Sequence, residues 1–246
     1  MRAFIASAEI PETSPANPLS GDAWCGSRPH ERLGVRSNGV NCDTCYSEQE
    51  WSSWEKMSVI RRFTSADLEL FPENDGKRYE IIDGELYVSR QPHLYHQFVC
   101  DEILFRLQQW SNERKQGRAA SAPGLIFADD DDVAPDLVWM STARMADIIR
   151  ADGKLHAAPE LIVEVLSPGA ANEKRDRELK QQLYSRRGVG EYWVVDWRRR
   201  RVELFRRRNL QLELIATLTE SDILTTPLLP DFSCRVADLF ACIPTK

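Results

Sequence analysis

The alternation of apolar and polar positions becomes regular from about Met57 onward, and it predicts strands mixed with helices. Two short apolar runs flank Asp83-Gly84, which is the usual signature of a tight β-hairpin. Apolar residues at helical spacing predict a helix from about His93 to Trp110. The stretch from Thr64 to Asp67 is typical of a helix start, because a hydroxyl stands three residues before an acid.

The later part of the chain continues this alternation. The predicted segments are the strands GLIFAD and VAPDLVWM, a short helix at about 142–150, the strand ELIVEVLSP, a helix at about 172–187, and the strands EYWVVDW, RVELFRR and LQLELIATL. Such an order predicts an α/β (α+β) fold, in which helices flank a mixed central sheet with an N-terminal hairpin and C-terminal strands. The acidic run 129–132 favours an exposed turn over a metal cage, since alternate strand residues point apart.

The first part of the chain differs from the rest in composition. Residues 1–57 are rich in Pro, Ser, Gly and Asn and show no sustained period, which predicts a disordered or loosely attached extension. The folded domain is expected at 58–246. No apolar run approaches the roughly 20 residues of a membrane helix, and the N-terminus lacks the layout of a secretory signal, so we expect a cytoplasmic protein with no membrane partner.

The six cysteines are thinly spread, which favours reduced thiols over a disulfide scaffold. Cys42 and Cys45 form a CxxC pair, with Cys25 and His30 upstream. This set could hold zinc in principle. Its spacing is loose and the second pair is neither CxxC nor HxxxH, so free thiols are favoured over a zinc site.

The charge distribution is uneven. The net charge is −6, yet the segment from Lys174 to Arg208 contains 13 Lys/Arg and 5 Asp/Glu. This segment could face phosphate groups or could be a solvated hairpin, and the sequence leaves both interpretations open. The candidates for nucleic-acid binding are Arg198, Arg199, Arg200 and Arg201 in the turn between two predicted strands.

Two charged residues of the helix at about 172–187 fall on its apolar side. On a wheel of about 100° per residue, Asp176 and Lys180 lie within the arc that holds the apolar residues. An ammonium group aimed at the sheet needs a carboxylate or loses its proton. The nearest candidates on strands are Asp136, which follows Pro135 at the start of an apolar run, and Glu164.

These residues resemble a known arrangement. Pro135-Asp136, Glu164-Val165 and a nearby lysine resemble the PD-(D/E)XK nuclease superfamily, which has the restriction-endonuclease-like fold. The order YEIIDGEL, His96, APDLVW, PELIVEVLSP, Asp176 with Lys180, and GVGEYWVVD resembles the Uma family over about 58–240. In the superfamily pattern Glu-x-Lys, Leu166 stands where the lysine would be. The resemblance implies that Lys180 takes the role from the following helix.

The resemblance implies metal-assisted hydrolysis of phosphodiester bonds. Asp136, Glu164 and Lys180 would be the catalytic residues, and Asp136, Glu164 and the carbonyl of Val165 would hold Mg²⁺, with Mn²⁺ as a substitute. Lys180 would orient water or offset charge on the phosphate, and Asp176 would help to position it. A salt bridge of Lys180 with these acids and no metal is the structural alternative.

Glu80 and His96 match positions that recur in the family and are expected to border the site. A histidine on an apolar helix face can equally be a hydrogen-bonded core residue. The resemblance therefore implies a metal-dependent endonuclease acting on DNA, with RNA left open. The alternative is a catalytically inactive nucleic-acid-binding or assembly module on the same fold. A homodimer is one expectation, because double-strand cleavage by a single small site usually needs two copies.

Overall fold

The computed structural model describes residues 62–72 and 75–244. The predicted extension at 1–57, with Cys42 and Cys45, lies outside these residues. Within the described ranges, no helix is both long enough and apolar enough to cross a membrane.

Strands and helices alternate as the hydrophobic pattern predicts. In chain order the elements are α1 (Ser65–Leu68), β1 (Lys77–Ile82), β2 (Glu85–Arg90), α2 (Leu94–Arg114), β3 (Arg118–Ser121), β4 (Leu125–Ala128), β5 (Asp131–Val133), β6 (Leu137–Met140), α3 (Thr142–Ile148), β7 (Leu161–Val165), α4 (Ala170–Lys174), a π-helical turn (Arg175–Leu179), α5 (Lys180–Arg187), β8 (Glu191–Asp196), β9 (Arg201–Arg208), β10 (Gln211–Thr219), β11 (Ile223–Leu224), β12 (Cys234–Arg235) and α6 (Val236–Leu239).

The central sheet is mixed, as predicted. Its strand order is β10-β9-β8-β7-β6-β3. β7 and β8 are parallel, whereas the other neighbouring pairs are antiparallel. A parallel pair needs a crossover connection, and the helical segment from Ala170 to Arg187 supplies it. This connection places the helix against the strand that precedes it.

The two faces of β7 meet different layers. Val163 and Val165 belong to an apolar cluster with residues of α2 and of the C-terminal segment. Ile162 belongs to a second cluster with residues of α5. Because successive strand residues point to opposite faces, Glu164 shares the α5 side with Ile162. The sheet therefore aims this carboxylate at the crossover helix.

A second sheet, of order β2-β1-β5-β4, contains the predicted hairpin. Asp83 and Gly84 connect its strands with φ values of 53° and 73°. Positive φ at both central residues is what a two-residue turn of type I′ requires, so the Asp-Gly prediction is confirmed.

Only the first half of the acidic run 129–132 forms the predicted turn at the surface, at Asp129 and Asp130. Asp131 and Asp132 are buried, since β5 pairs with both β1 and β4. The carboxylate of Asp131 is compensated by Arg186 and Arg187 of α5, at 3.2 Å and 2.5 Å. A run of like charges is typical of a solvated surface, but two arginines from a distant element make the burial of Asp131 possible.

The helix predicted at about 172–187 is present, with a π-helical turn in its middle. Asp176 and Lys180 are buried on the side that the wheel indicates. Arg175 is buried as well, although the wheel places it away from the apolar arc. A π turn contains an additional residue per turn, which changes the face on which its neighbours point.

Candidate active site

A cavity of about 450 Å³ opens where the end of β7 meets the open end of the β1–β2 hairpin. It lies between the layer of α2 and the layer of the crossover helix. The lining residues that matter for chemistry are Arg78, His96, Asp136, Glu164, Val165 and Arg175. Strands, helices and the hairpin thus bring distant parts of the chain to one opening.

Asp136 is buried and fully hydrogen-bonded. Its Oδ2 accepts hydrogen bonds from the backbone N–H of Val165 at 2.9 Å and from Nε2 of His96 at 3.2 Å. Its Oδ1 accepts one from Nη1 of Arg78 at 3.1 Å. Burial acts to raise the pKa of Asp136, but the His96 contact and the charges of Arg78 and Lys180 outweigh it and hold the pKa below its ordinary value. This carboxylate is therefore ionised and oriented.

His96 lies between an acid and a thiol. Because ionised Asp136 only accepts hydrogen bonds, Nε2 of His96 carries the proton of this contact. Its Nδ1 lies 3.6 Å from Sγ of Cys100. Burial raises the pKa of Cys100, which keeps the thiol protonated. The imidazole is oriented from both sides.

These three residues also form a group that could hold a metal ion. The ligand atoms of His96, Cys100 and Asp136 lie within 4.8 Å of one another.

Glu164 binds the lysine of the crossover helix. Nζ of Lys180 lies 2.9 Å from Oε1 of Glu164 and 2.9 Å from Oε1 of Glu80. The hydroxyl of Tyr184 donates to the same Oε1 of Glu164 at 2.8 Å. Lys180 is 1% exposed and lies behind Glu164 instead of lining the cavity. Its ammonium is thus held on the side of β7 that Glu164 faces.

The proton affinity of Glu164 differs from that of Asp136. Burial raises the pKa of Glu164, the charge of Lys180 opposes this effect, and the charge of Asp136 adds to it, so that the pKa is about 8. Both hydrogen bonds that Glu164 accepts from described residues go to Oε1. Its Oε2 takes part in neither of them. A proton or a further cation is needed to neutralise this carboxyl group.

The carboxylate of Asp176 lies closer to Arg175 than to Lys180. Nε of Arg175 donates to Oδ1 of Asp176 at 2.9 Å, whereas Nζ of Lys180 is 4.0 Å from the same oxygen. Arg175 also lies 3.9 Å from Oε2 of Glu80. The predicted site residues Glu80 and Asp176 are therefore beside Lys180, with Arg175 between them.

The buried acids of this region outnumber its lysine and arginine partners by one. The four carboxylates are Glu80, Asp136, Glu164 and Asp176, and the three cations that contact them are Arg78, Arg175 and Lys180. Taking ionised groups out of water is costly unless charge is compensated. The excess negative charge fits either one proton on Glu164 or an added cation.

Two of these cations were missed by the sequence analysis. Arg78 stands two residues before Glu80 on β1, and strand alternation alone would have placed both side chains on one face. Arg175 had no comparable signal, because its inward position depends on the π turn.

The four arginines of the predicted nucleic-acid-binding turn lie between β8 and β9 or at the start of β9, and each has a carboxylate partner. The closest pairs are Arg198 with Glu173 at 2.5 Å, Arg199 with Asp196 at 2.8 Å, Arg200 with Glu220 at 2.8 Å and Arg201 with Glu203 at 3.3 Å. Intramolecular ion pairs therefore offset much of their charge.

Comparisons with known proteins identify a structural neighbour and a family for this chain. A crystal structure from Anabaena variabilis ATCC 29413, described as a "putative nuclease belonging to DUF820", is similar to this chain with a TM-score of 0.58 at 17% identity. The similarity covers 73% of this chain and 98% of that one, and it shows a shared fold. None of the curated proteins matches.

The predicted restriction-endonuclease-like fold is confirmed. The model of the Uma2 family, described as "Putative restriction endonuclease", matches residues 65–237, which is more than half of the chain. The chain belongs to the Uma2 family.

Proposed function

We propose that the chain is a metal-dependent endonuclease that hydrolyses phosphodiester bonds of DNA. The observation that supports this proposal most is that Asp136 and Glu164 line one cavity while Lys180 is bonded to Glu164 from behind. The family match and the structural similarity support a nuclease.

The donor groups fit a hard divalent cation such as Mg²⁺, with Mn²⁺ as a substitute. Asp136, Glu164 and the carbonyl of Val165 would hold the ion, because Mg²⁺ prefers oxygen ligands and often binds through one or two carboxylates. The cavity has room for a hydrated ion, and the excess negative charge of the buried acids favours a cation. When bound, such an ion polarises a phosphoryl oxygen and lowers the pKa of water.

Two sets of contacts would orient the carboxylates. His96 and the N–H of Val165 hold Oδ2 of Asp136. Lys180 and Tyr184 hold Oε1 of Glu164 and leave Oε2 to the ligand. Lys180 thus acts through Glu164 as a positioning residue, because it is buried behind that side chain.

Among the cations that line the cavity, Arg78 and Arg175 are the two that contact buried acids. We assign to them the role of offsetting negative charge on the phosphate, since fixed positive groups in a partly buried site stabilise developing charge effectively. Both are anchored by buried acids, Arg78 by Asp136 and Arg175 by Asp176. Such anchoring holds them in place before a substrate arrives.

The test is nicking of supercoiled plasmid DNA in Mg²⁺, in Mn²⁺ and in a chelator. Wild type is expected to nick in a divalent ion, and Asp136→Asn and Glu164→Gln are expected to lose activity by about 100-fold or more. Glu213→Gln, on the exposed face of β10, is the matched control and should nick like wild type. If all three variants nick DNA as fast as wild type, the active site lies elsewhere. The same assay with single-stranded RNA tests whether DNA is the preferred substrate.

One observation favours the alternative, a nucleic-acid-binding or assembly module without catalysis. Arg78 already places a cation 3.1 Å from Oδ1 of Asp136, which neutralises this acid without a metal. This alternative predicts that wild type binds DNA and leaves it intact in every divalent ion. Titration of Mn²⁺ into wild type and Glu164→Gln separates the two functions. Only the nuclease requires that wild type binds Mn²⁺ and that Glu164→Gln binds it more weakly.

A further inference from the structure

Two cations face each other at the open end of the β1–β2 hairpin. Lys77 is directly opposite Arg90 in the strand register. Both residues are exposed. Like charges directly opposite each other destabilise a β-sheet pair. The hairpin therefore keeps an unfavourable contact at this position.

Of these two charges, that of Arg90 has no acidic partner among the described residues. Lys77 lies 3.1 Å from the exposed Asp75. The part of the chain that the structure describes provides no carboxylate for Arg90. Arg90 differs in this respect from the arginines of the turn after β8, each of which is paired with an acid. The hairpin end is thus the more available positive surface.

The pair lies at the mouth of the candidate active site. Lys77 and Arg90 line the same cavity as Asp136 and Glu164. Gln91, which follows Arg90, lines it too and offers an amide donor. An extended anion that entered the cavity would pass the two cations.

We propose that Lys77 and Arg90 form a backbone-phosphate subsite that holds the nucleic-acid strand next to the position of cleavage. This proposal rests on the proposed nuclease function. It adds two residues that would bind the substrate beside the acidic residues of the candidate active site. The guanidinium fork of Arg90 suits two phosphate oxygens, and Lys77 adds a point charge. Binding through phosphates positions a strand without reading its sequence.

A structural role makes different predictions. β2 is an edge strand of its sheet, and charged residues on edge strands discourage pairing with other chains. In that case either sign of charge would serve. A charge reversal at one of the two positions would then stabilise the hairpin and leave the affinity for the substrate unchanged.

The experiment compares Lys77→Glu and Arg90→Glu with wild type. Binding of a fluorescent DNA duplex is measured by anisotropy in Ca²⁺ and in chelator, over a range of salt concentrations. Each reversal should weaken binding by about tenfold or more and reduce the slope of log K against log salt concentration by about one. The thermal midpoint of Arg90→Glu should stay equal or rise, because an opposite-charge pair replaces the like-charge pair. Lys77→Glu also loses the contact with Asp75, so Arg90→Glu is the variant that tests the stability of the hairpin.

The matched control is Arg118→Glu. Arg118 is an exposed strand arginine opposite Met140, at the far end of the β3–β6 pair from Asp136. This variant changes the net charge equally and should leave binding within about twofold of wild type, since screening limits long-range effects.

The outcomes separate the subsite from the function. If wild type binds and nicks DNA while the two hairpin variants match Arg118→Glu, the subsite is wrong and the nuclease stands. If wild type neither binds nor nicks nucleic acid, both proposals fail. Weaker binding with unchanged turnover at saturating DNA supports the subsite, because a phosphate contact away from the reacting bond affects KM before kcat.

Discussion

Nζ of Lys180 lies 2.9 Å from Oε1 of Glu164, so the crossover helix and the strand that precedes it are joined by a buried ion pair. The same ammonium lies 2.9 Å from Oε1 of Glu80 on the hairpin. One lysine therefore connects the central sheet, the helix layer and the second sheet. Both carboxylates depend on it for their compensation, which makes the site and the fold interdependent.

Replacing this lysine should destabilise the protein strongly. Lys180→Met keeps the length of the side chain but leaves Glu80 and Glu164 without their shared cation. Loss of one partner of a buried ion pair costs about 3–5 kcal/mol. Urea unfolding followed by circular dichroism measures the change in the free energy of unfolding. Lys174→Met, at an exposed position of α4, is the control and should change it by less than about 0.5 kcal/mol.

The binding of a divalent ion should depend on pH through Glu164. Its pKa of about 8 means that the carboxyl group is mostly protonated at neutral pH in the metal-free protein. A metal ligand must lose its proton, so the affinity for Mn²⁺ should rise with pH and level off above about 8. Calorimetry in buffers of different ionisation enthalpy measures the proton release. Glu164→Gln should bind Mn²⁺ weakly with no release, and proton release that persists in this variant would assign it to another group.

The same shift should affect stability in the metal-free state. A carboxyl group with a raised pKa binds its proton more tightly in the folded than in the unfolded protein. Its contribution is therefore fully present below the ordinary pKa of glutamate and is lost as the pH rises through about 8. Unfolding curves on both sides of that value measure the loss. Lys180→Met should raise the pKa of Glu164 further, because it removes the charge that opposes the shift.

Removing the imidazole behind Asp136 should weaken metal binding without unfolding the protein. His96→Ala removes the hydrogen bond to Oδ2 of Asp136, and loss of such an orienting partner lowers metal affinity by about 10–100-fold. Titration with Mn²⁺ checks the value. The control is His156→Ala, because His156 pairs with Asp152 at the surface and should leave the affinity unchanged. An unaltered affinity in His96→Ala would mean that Val165 and Arg78 suffice to hold the carboxylate.

Within the acidic run 129–132, the side chain of Asp131 should contribute to stability, whereas that of Asp129 should not. Asp131→Ala leaves Arg186 and Arg187 without their shared acid and should lower the free energy of unfolding by about 1.5–3 kcal/mol. The side chain of Asp129 is exposed, so Asp129→Ala should change it by less than about 0.5 kcal/mol. Thermal denaturation of the two variants side by side makes the comparison. A similar loss in both would point to a general charge effect.

Local signals were sufficient for much of the fold. Asp83-Gly84 has the residues that a tight turn requires, and the apolar arc of the crossover helix correctly indicates that Asp176 and Lys180 point inward. Both predictions depend on neighbours in the chain. For the partner of Lys180 the sequence left Asp136 and Glu164 as candidates, because a buried ammonium needs an acid, and the structure brings Lys180 to Glu164.

Features that depend on distant partners were not predictable. Asp131 is buried only because α5 brings two arginines to it. The turn of Arg198 to Arg201 contains the highest density of positive charge, yet its charge is paired with acids of other segments. Conversely, Lys77 and Arg90 are 13 positions apart, and the predicted two-residue turn at Asp83-Gly84 is sufficient to place them opposite each other.

The π-helical turn has a consequence for variation in length. In a regular α-helix, residues five positions apart point about 140° away from each other. Arg175 and Lys180 are five positions apart, and still both reach the carboxylate of Glu80. Deleting one residue between them would leave them four positions apart, about 40° from each other on a regular α-helix, so that both still face Glu80. Inserting one residue would place them six positions apart, about 120° from each other on a regular helix, and would turn one of the two basic side chains outward. Homologues of this chain should therefore tolerate a deletion in this turn more readily than an insertion.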